Sequence, residues 1–168
     1  MPTYQSTIGT DLRVKQFDDP HYTLILQVWD KYRGWEYRGK TGAPPSYYRN
    51  ASAIFIFFDV TNRESFEFAK HEIASIPHDE YEQELYIVGS KIDLETQRVI
   101  SREEGLKLAQ EYAAQYYEVS AKDNLNIQQM FDEVALALFD KKKTYPDVPR
   151  KEIPCIEPPP PQPFCIVQ

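Results

Sequence analysis

The sequence has little of several features that define major protein classes. It holds only two cysteines, Cys155 and Cys165, both close to its carboxyl end, so we expect no disulfide framework. It has no uninterrupted apolar run near the ~18 residues of a membrane-spanning helix, and its first residues do not resemble a signal peptide. Its 19 Lys and Arg are outnumbered by 26 Asp and Glu, whereas binding to nucleic acid requires clustered positive charge. We therefore expect a cytoplasmic protein with no nucleic-acid partner.

The chain does have the apolar content of a folded domain, with 42% hydrophobic residues, and five segments are typical of strands. Residues 11–17 alternate apolar and polar side chains, and Tyr22–Trp29 follows after a turn, so the two predict an antiparallel hairpin. Ala53–Phe58 and Leu85–Val88 are apolar throughout, which is typical of strands covered on both faces. Tyr116–Val119 is a further short strand.

Helical patterns lie between and after the later strands. Thr61-x-x-Glu64 and Ser101-x-x-Glu104 predict capping boxes, for helices that reach about Ser75 and about Ala114. Apolar residues at helical spacing predict three buried stripes: Phe66, Ala69 and Ile73; Leu106, Ala109 and Ala113; and Ile127, Met130, Phe131, Val134 and Leu138. This alternation predicts one α/β domain over residues 1–143, with three layers and a mostly parallel sheet that carries helices on both faces.

The carboxyl-terminal residues 144–168 differ from the rest in composition. Eight of the 13 prolines fall between Pro146 and Pro163, which predicts an extended, disordered tail. The chain ends in Cys165-Ile166-Val167-Gln168, which fits the C-a-a-X pattern for prenylation of Cys165, with farnesyl suggested by the final Gln. The alternative is a plain apolar end on a disordered tail. A prenyl group would make the protein peripheral on the cytosolic face of an intracellular membrane.

Ile87–Leu94 carries the clearest chemical signal. Its apolar residues give way to Ser90-Lys91-Ile92-Asp93, at the carboxyl end of a predicted parallel strand, where ligands bind in open α/β sheets. A carboxylate beside a lysine suits a ring edge with two N–H donors, such as that of guanine. The alternative is an ordinary turn at the end of a strand.

Six segments, in this order, resemble motifs of Rab proteins, which are small GTPases of the Ras superfamily. They are Thr7–Leu12 (T-I-G-T-D-L), Leu26–Asp30 (L-Q-V-W-D), Ser46–Ala51 (S-Y-Y-R-N-A), Phe58–Phe66 (F-D-V-T-N-R-E-S-F), Ser90–Asp93 (S-K-I-D) and Glu118–Lys122 (E-V-S-A-K). Each is modest alone, but together they are specific over residues 7–122. The resemblance implies an incomplete small-GTPase domain.

The resemblance also implies ligands and roles. It makes GTP or GDP and Mg²⁺ the expected cofactors. The implied guanine-binding residues are Ser90, Lys91, Asp93, Ser120, Ala121 and Lys122. Asp93 would accept two charge-assisted hydrogen bonds from the base, worth ~1.5–3 kcal/mol each. Thr7 and Asp30 would hold Mg²⁺, the second through water.

Three departures from the family pattern argue against an active switch. No segment reads G-x-x-x-x-G-K-[ST], the loop that cradles the phosphates. Loss of four such bonds removes ~6 kcal/mol, on the order of 10⁴-fold in affinity. Trp35 stands where the family has the Gln that orients the attacking water, and Ser90 where it has Asn. We expect impaired GTP binding and hydrolysis, with no catalytic residue. The alternative is a chain whose amino-terminal part is missing from this sequence.

The resemblance further implies a partner surface. Leu12, Trp29 and Tyr47 match an apolar patch through which the family binds effector proteins in vesicle traffic. The alternative is that Trp29 is partly covered core. The family also has a first strand between the two segments that match Tyr22–Trp29 and Ala53–Phe58. Without it, these strands would pair directly, recruit the amino-terminal residues, or take a strand from a partner.

Overall fold

A computed structural model describes residues 10–19, 22–31, 51–76 and 83–143. The element order is β1 (Thr10–Asp19), β2 (Tyr22–Lys31), β3 (Ala53–Asp59), α1 (Arg63–Ala74), β4 (Glu84–Ser90), a 3₁₀-helix (Ile92–Gln97), α2 (Arg102–Glu111), β5 (Gln115–Val119) and α3 (Ile127–Lys143). All five predicted strands are therefore confirmed, and no bound differs by more than two residues from the predicted one.

The described strands form two separate sheets. The antiparallel pair β1–β2 is the predicted hairpin, with Leu12 opposite Trp29 in its register. The strands β3, β4 and β5 form a parallel sheet in that order. No ladder joins β2 to β3 in the described part of the chain, so the first of the three alternatives, direct pairing of these strands, is not what the structure adopts.

The parallel sheet is covered on both faces, because successive residues of a strand point to opposite sides. Ile56, Phe58 and Ile87 lie in a core cluster with the apolar residues of α1 and α2. Tyr86, Val88 and Val119 lie in a second cluster, with Met130 and Val134 of α3. These residues are nearly inaccessible to solvent, and each fully buried aliphatic side chain contributes roughly 1.5–3 kcal/mol. The predicted three-layer α/β architecture is confirmed.

The hairpin lies beside α3. Lys15 Nζ is 3.3 Å from Asp132 Oδ1, and β2 contacts the same helix. By strand alternation, the face that carries Lys15 also carries Phe17 and Leu26, which are half-buried. The opposite face of the hairpin is exposed.

The two predicted capping boxes have different outcomes. Ser101 caps α2 as predicted: its side chain accepts from the Glu104 backbone N–H, and the Glu104 carboxylate accepts from the Ser101 N–H. The box predicted at Thr61 is wrong, because Asn62 caps α1 and accepts from Ser65 N–H at 3.2 Å. The Thr61 hydroxyl donates instead to Asp59 Oδ1 at 2.7 Å.

The buried stripes of α1 and α3 are confirmed, whereas that of α2 needs a correction. The buried residues of α2 are Gly105, Leu108 and Ala109; Leu106 is 40% exposed, and Ala113 lies beyond the end of the helix at a φ of 51°. A Cβ at Gly105 would lie only 2.3 Å from the Tyr116 ring. The close approach of this ring to Gly105 turns that side of α2 toward the sheet.

Several predictions fall outside the described residues. They concern the Mg²⁺-binding role of Thr7, the departure at Trp35, the partner-surface residue Tyr47, and the tail with Cys165. None of the helices in the described ranges is long and apolar enough to cross a membrane.

Candidate functional site

The candidate site lies where β4 and β5 end. Ser90 is the last residue of β4, and the 3₁₀-helix that follows carries Asp93 in its first turn. Ser120 follows β5 directly, and its backbone forms a two-way bridge with Leu125 that folds residues 121–124 into turns. Because parallel strands end at the same edge of the sheet, the predicted base-binding residues from two distant segments meet there.

Asp93 and Ser120 are in direct contact. The Ser120 hydroxyl donates to Asp93 Oδ1 at 2.6 Å, and the Asp93 side chain is only 5% exposed. The same hydroxyl oxygen accepts from the Asp123 N–H at 3.1 Å, and Ser120 itself is fully buried. This contact holds the carboxylate in one orientation.

The electrostatics favour an ionised Asp93. The hydrogen bond from Ser120 lowers the pKa of Asp93, and Lys122, whose Nζ is 3.6 Å from Oδ2, adds to that effect. Lys122 is 75% exposed, so its side chain is free to leave Oδ2 when another donor approaches. A carboxylate has about four acceptor positions, and the Ser120 hydroxyl occupies one of them.

The side chains of Ser90 and Lys91 both contact residues of β3. The Ser90 hydroxyl donates to the Phe58 carbonyl at 2.7 Å. Lys91 has a left-handed backbone, with a φ of 64°, and its Nζ lies 2.5 Å from Asp59 Oδ2. Burial opposes ionisation of Asp59, but hydrogen bonds from Lys91 and Thr61 outweigh it and lower the pKa of this carboxyl.

A partly buried ion pair joins the two loops of the site. Arg98, which follows the 3₁₀-helix, lies with NH1 2.9 Å from Glu118 Oε1 and NH2 3.3 Å from Glu118 Oε2. The two side chains are 16% and 15% exposed. Glu118 also accepts from the Tyr116 hydroxyl at 2.8 Å, and its carbonyl accepts from the Asn126 side chain. The Arg98–Glu118 pair therefore fixes the loop of Asp93 relative to the loop of Ser120.

The described residues at this edge are those predicted for a guanine base rather than for the phosphates. Asp93, Ser120 and the exposed Ala121 and Lys122 lie where β4 and β5 end. Of the two predicted Mg²⁺ ligands, Asp30 lies on β2 of the other sheet, and Thr7 is outside the described residues. Among the described residues, no group of three or more His, Cys, Asp or Glu is placed to hold a metal ion.

The predicted partner surface lies on the exposed face of the hairpin. Leu12 and Trp29 are opposite each other in the register and are 39% and 62% exposed. Val14 and Ile25 lie on the same face, at 60% and 56% exposure. Within residues 11–17 and 24–30, the other two positions of this face are Gln16 and Gln27, so the central part of the face carries no charge. Trp29 is not covered core; Tyr47 lies outside the described residues.

Sequence reasoning missed two contributors to the site. Asp59 holds Lys91, and Arg98 holds Glu118. The position of Asp59 could have indicated its role. It ends β3 beside the end of β4, and side chains at the ends of neighbouring parallel strands lie close together. The sequence offered no comparable signal for Arg98, because its partner is 20 residues away in the next strand.

Comparison with known proteins places the chain in a family. A model of the Ras family matches residues 1–140. The chain is 36% identical over 151 residues to Ras-related protein Rab-26 of Rattus norvegicus, an alignment that covers 88% of this chain and 57% of that protein. It is also 34% identical to Ras-related protein Rab-3C of Bos taurus, over 96% of this chain and 74% of that protein. The chain belongs to the Ras family of small GTPases, as a Rab-type member.

The match does not extend over the whole of these relatives. The chain spans 57% of the length of Rab-26 from rat and human, and 56% of that from mouse. It spans 63% of GTP-binding protein Rab-3D of Rattus norvegicus, to which it is 34% identical.

Proposed function

We propose that the chain is a Rab-like regulator of vesicle and membrane traffic that acts by recruiting effector proteins through the exposed face of its hairpin. The observation that carries this proposal is the Leu12–Trp29 pair, exposed beside the uncharged central part of this face. A tryptophan that is 62% exposed beside three further apolar side chains is a surface that a partner would cover. The names of the Rab relatives support the same reading.

The test is binding of effector domains that recognise Rab-3 or Rab-26 proteins, measured by titration calorimetry. The Trp29→Ala variant is expected to bind at least about tenfold more weakly, since a buried tryptophan anchor is worth ~2 kcal/mol or more. Leu136→Ala, which removes an equally exposed apolar side chain from α3, is the matched control and is expected to bind normally. Equal affinity of the Trp29→Ala variant and the unchanged protein would contradict the proposal.

GTP binding and hydrolysis are impaired in this proposal. Asp93 and its hydroxyl partner suit the base, but the sequence offers no Walker-type loop for the phosphates, and Lys91 is held by Asp59. The purified protein is denatured and the released nucleotide is quantified by chromatography. We expect far less than one GDP or GTP per chain and no phosphate release above the blank.

A second candidate function is that of a GTP-binding switch, favoured by the contact between Asp93 and Ser120 at 2.6 Å. It predicts stoichiometric bound nucleotide that is lost in the Asp93→Ala variant. Lys122→Ala, which leaves the carboxylate and its Ser120 partner in place, is expected to retain most of the binding. The same nucleotide assay therefore decides between the two candidates.

Membrane attachment belongs to the proposal as well. Cys165 is the acceptor of a prenyl group, and the group anchors the protein to the cytosolic face of an intracellular membrane. Incubation with farnesyltransferase and radiolabelled farnesyl diphosphate is expected to label the full chain. The Cys165→Ser variant should stay unlabelled, whereas Cys155→Ser should be labelled normally; label on the Cys165→Ser protein would contradict this assignment.

A further inference from the structure

A groove lies beside β5, the strand at one end of the parallel sheet. Its volume is about 480 Å³, and its walls come from the start of α2, from β5 and from the beginning of α3. None of the predicted base-binding residues lines it, so the groove is separate from the candidate site. The lining residues that matter below are Arg102, Tyr116, Tyr117, Glu118, Asn126 and Gln129.

The groove holds a cation that has no partner in the described part of the chain. Arg102, the first residue of α2, is exposed, and its side chain forms no hydrogen bond or ion pair with the described residues. The carboxylate in the lining, that of Glu118, is already held by Arg98 at 2.9 Å and by the Tyr116 hydroxyl at 2.8 Å. The groove therefore keeps a positive charge that an acidic group of a ligand would neutralise.

The rest of the lining offers aromatic rings and amide donors. Tyr116 and Tyr117 are half-buried, and Asn126 and Gln129 are exposed. Each of these two amides donates to an acceptor within the chain at 2.8 Å. A side-chain amide has two hydrogens, so each keeps one for a further acceptor. Aromatic rings beside such donors match a polyproline segment, whose carbonyl groups have no partner within their own helix.

We propose that the proline-rich segment 154–163 of this same chain docks in the groove, with Glu157 on the Arg102 guanidinium and the prolines that follow it over the tyrosine rings. The segment reads P-C-I-E-P-P-P-P-Q-P, so Glu157 is its only charged residue and directly precedes the proline run. The ion pair fixes the register, and the restricted backbone of the prolines reduces the entropic cost of docking.

The connection from α3 is long enough for the segment to fold back. Gln129 lies in the first turn of α3, at the groove, and Lys143 ends the helix. The 14 positions between these two residues span about 21 Å, at ~1.5 Å per helical residue. Glu157 follows Lys143 by another 14 positions, which extend over as much as about 43 Å at ~3.1 Å each. The tail can therefore run back along α3 and reach Arg102 with length to spare.

Docking would shorten the connection between the body and the carboxyl end. The docked segment ends two residues before Cys165. With the proposed prenyl group on Cys165, the docked form holds the body close to the membrane, and release of the segment lets the body extend away from it. This consequence rests on the proposed membrane attachment, whereas the docking itself does not.

The two cysteines of the chain both lie in the tail, so one of them can carry a probe. A nitroxide spin label is attached to Cys155 in the full-length Cys165→Ser protein, and the broadening of backbone amide NMR signals is measured. We expect the amides of Tyr117, Asn126 and Gln129 to broaden strongly. Those of α1, which packs on β3 at the other end of the sheet, should broaden much less. Dilution should leave the broadening unchanged, because the contact forms within one chain.

Arg102→Glu tests the contact that fixes the register. It is expected to lower the ratio of docked to free segment about tenfold or more, since an attractive pair becomes a repulsive one. Lys107→Glu makes the same change of charge at another exposed residue of α2 and is the matched control, which should broaden normally. The double variant Arg102→Glu/Glu157→Arg restores opposite charges and should recover the broadening.

Three results would overturn the proposal. The first is equal broadening in the groove and in α1. The second is groove broadening that Arg102→Glu leaves unchanged, or that the charge swap fails to recover. The third is broadening that fades on dilution, which would mean a contact between chains. The unprenylated protein serves for all of these measurements, so the farnesylation assay still judges the membrane attachment separately.

Discussion

The ionisable residues around the candidate site are held by partners within the chain. Asp93 is bound by Ser120, Lys91 by Asp59, and Glu118 by Arg98. Each of these bonds joins residues that are 20 or more positions apart in sequence. The geometry of the site therefore depends on a few long-range polar contacts that the fold of the whole parallel sheet brings together.

The Arg98–Glu118 pair is the most buried ion pair of the site, and Arg98 also pairs with the exposed Glu95, so it is removal of Arg98 that leaves the Glu118 charge uncompensated. Arg98→Met is expected to lower the free energy of unfolding by about 3 kcal/mol, measured by urea denaturation. The double variant Arg98→Met/Glu118→Leu should cost less than the sum of the two single variants, because the unpaired charge is gone. Additive costs would show that the two side chains do not interact.

Glu104 predicts a pH dependence of stability. Hydrogen bonds from Arg63 and from the Ser101 backbone lower its pKa from 4.5 to about 2. A carboxyl whose pKa is lower in the folded state stabilises it above the unfolded pKa, and this contribution is lost as the pH falls through the folded pKa. Arg63 and Glu104 are 47% and 40% exposed, so solvent screening reduces the effect to about 1 kcal/mol.

The corresponding measurement is a series of thermal unfolding curves between pH 5 and pH 2 on the unchanged protein, Glu104→Gln and Arg63→Met. Gln retains the acceptor for the Ser101 N–H, so the first variant removes the charge and spares the helix cap. In both variants, the fall in stability between pH 5 and pH 2 should be about 1 kcal/mol smaller than in the parent. Three parallel curves would exclude Glu104 as the source.

At the scale of elements, one close contact joins α2 to β5, in addition to the packing of Leu108 and Ala109 in the core. The Tyr116 ring lies against Gly105, where only a glycine leaves room, since an added Cβ would approach the ring to 2.3 Å. Burial and a hydrogen bond to Glu118 raise the pKa of Tyr116 far above its usual range. This side chain is therefore neutral, and its ring packs against Gly105. The contact determines which side of α2 faces the sheet.

Gly105→Ala is therefore expected to destabilise the protein, although Ala is the better helix former by about 1 kcal/mol. Overpacking of this kind costs about 1–3 kcal/mol, which a urea titration resolves. The same substitution in a Tyr116→Leu background should cost nothing or stabilise, because the ring is absent. If Gly105→Ala stabilised the otherwise unchanged protein, α2 would be able to move away from the Tyr116 ring at little cost, which would contradict this prediction.

Pattern and spacing predicted the strands, the hairpin and the buried stripes of α1 and α3, because apolar periodicity reflects burial directly. They failed where a tertiary contact decides the local structure. Thr61 matched a capping pattern, but its hydroxyl donates to Asp59, and Asn62 caps the helix instead. In the candidate site, the predicted base-binding residues come from motifs, whereas Asp59 and Arg98 act through partners that only the folded sheet reveals.

At the scale of the whole molecule, the chain consists of a hairpin and a parallel α/β body without a ladder between them in the described residues. The hairpin is held by packing on α3 and by the exposed Lys15–Asp132 pair, which contributes little on its own. An isolated two-stranded hairpin is marginally stable in water. The two parts therefore differ in their resistance to local opening.

Native-state hydrogen exchange measures this difference. Amides of β1 and β2 are expected to show protection about tenfold or more below that of the β4 amides, which lie between two paired strands. Lys15→Met should leave the difference almost unchanged, because the pair it removes is exposed. Equal protection in β2 and β4 would indicate a single cooperative unit.

The position of α3 in the sequence has a consequence for synthesis of the protein on the ribosome. The hairpin is made early, but the residue that Lys15 contacts is 117 positions further along, in the last described helix. β2 therefore has no α3 to pack on until nearly all of the described body has been made. We expect the hairpin to dock late in folding, with its half-buried side, which carries Phe17 and Leu26, available to chaperones until then.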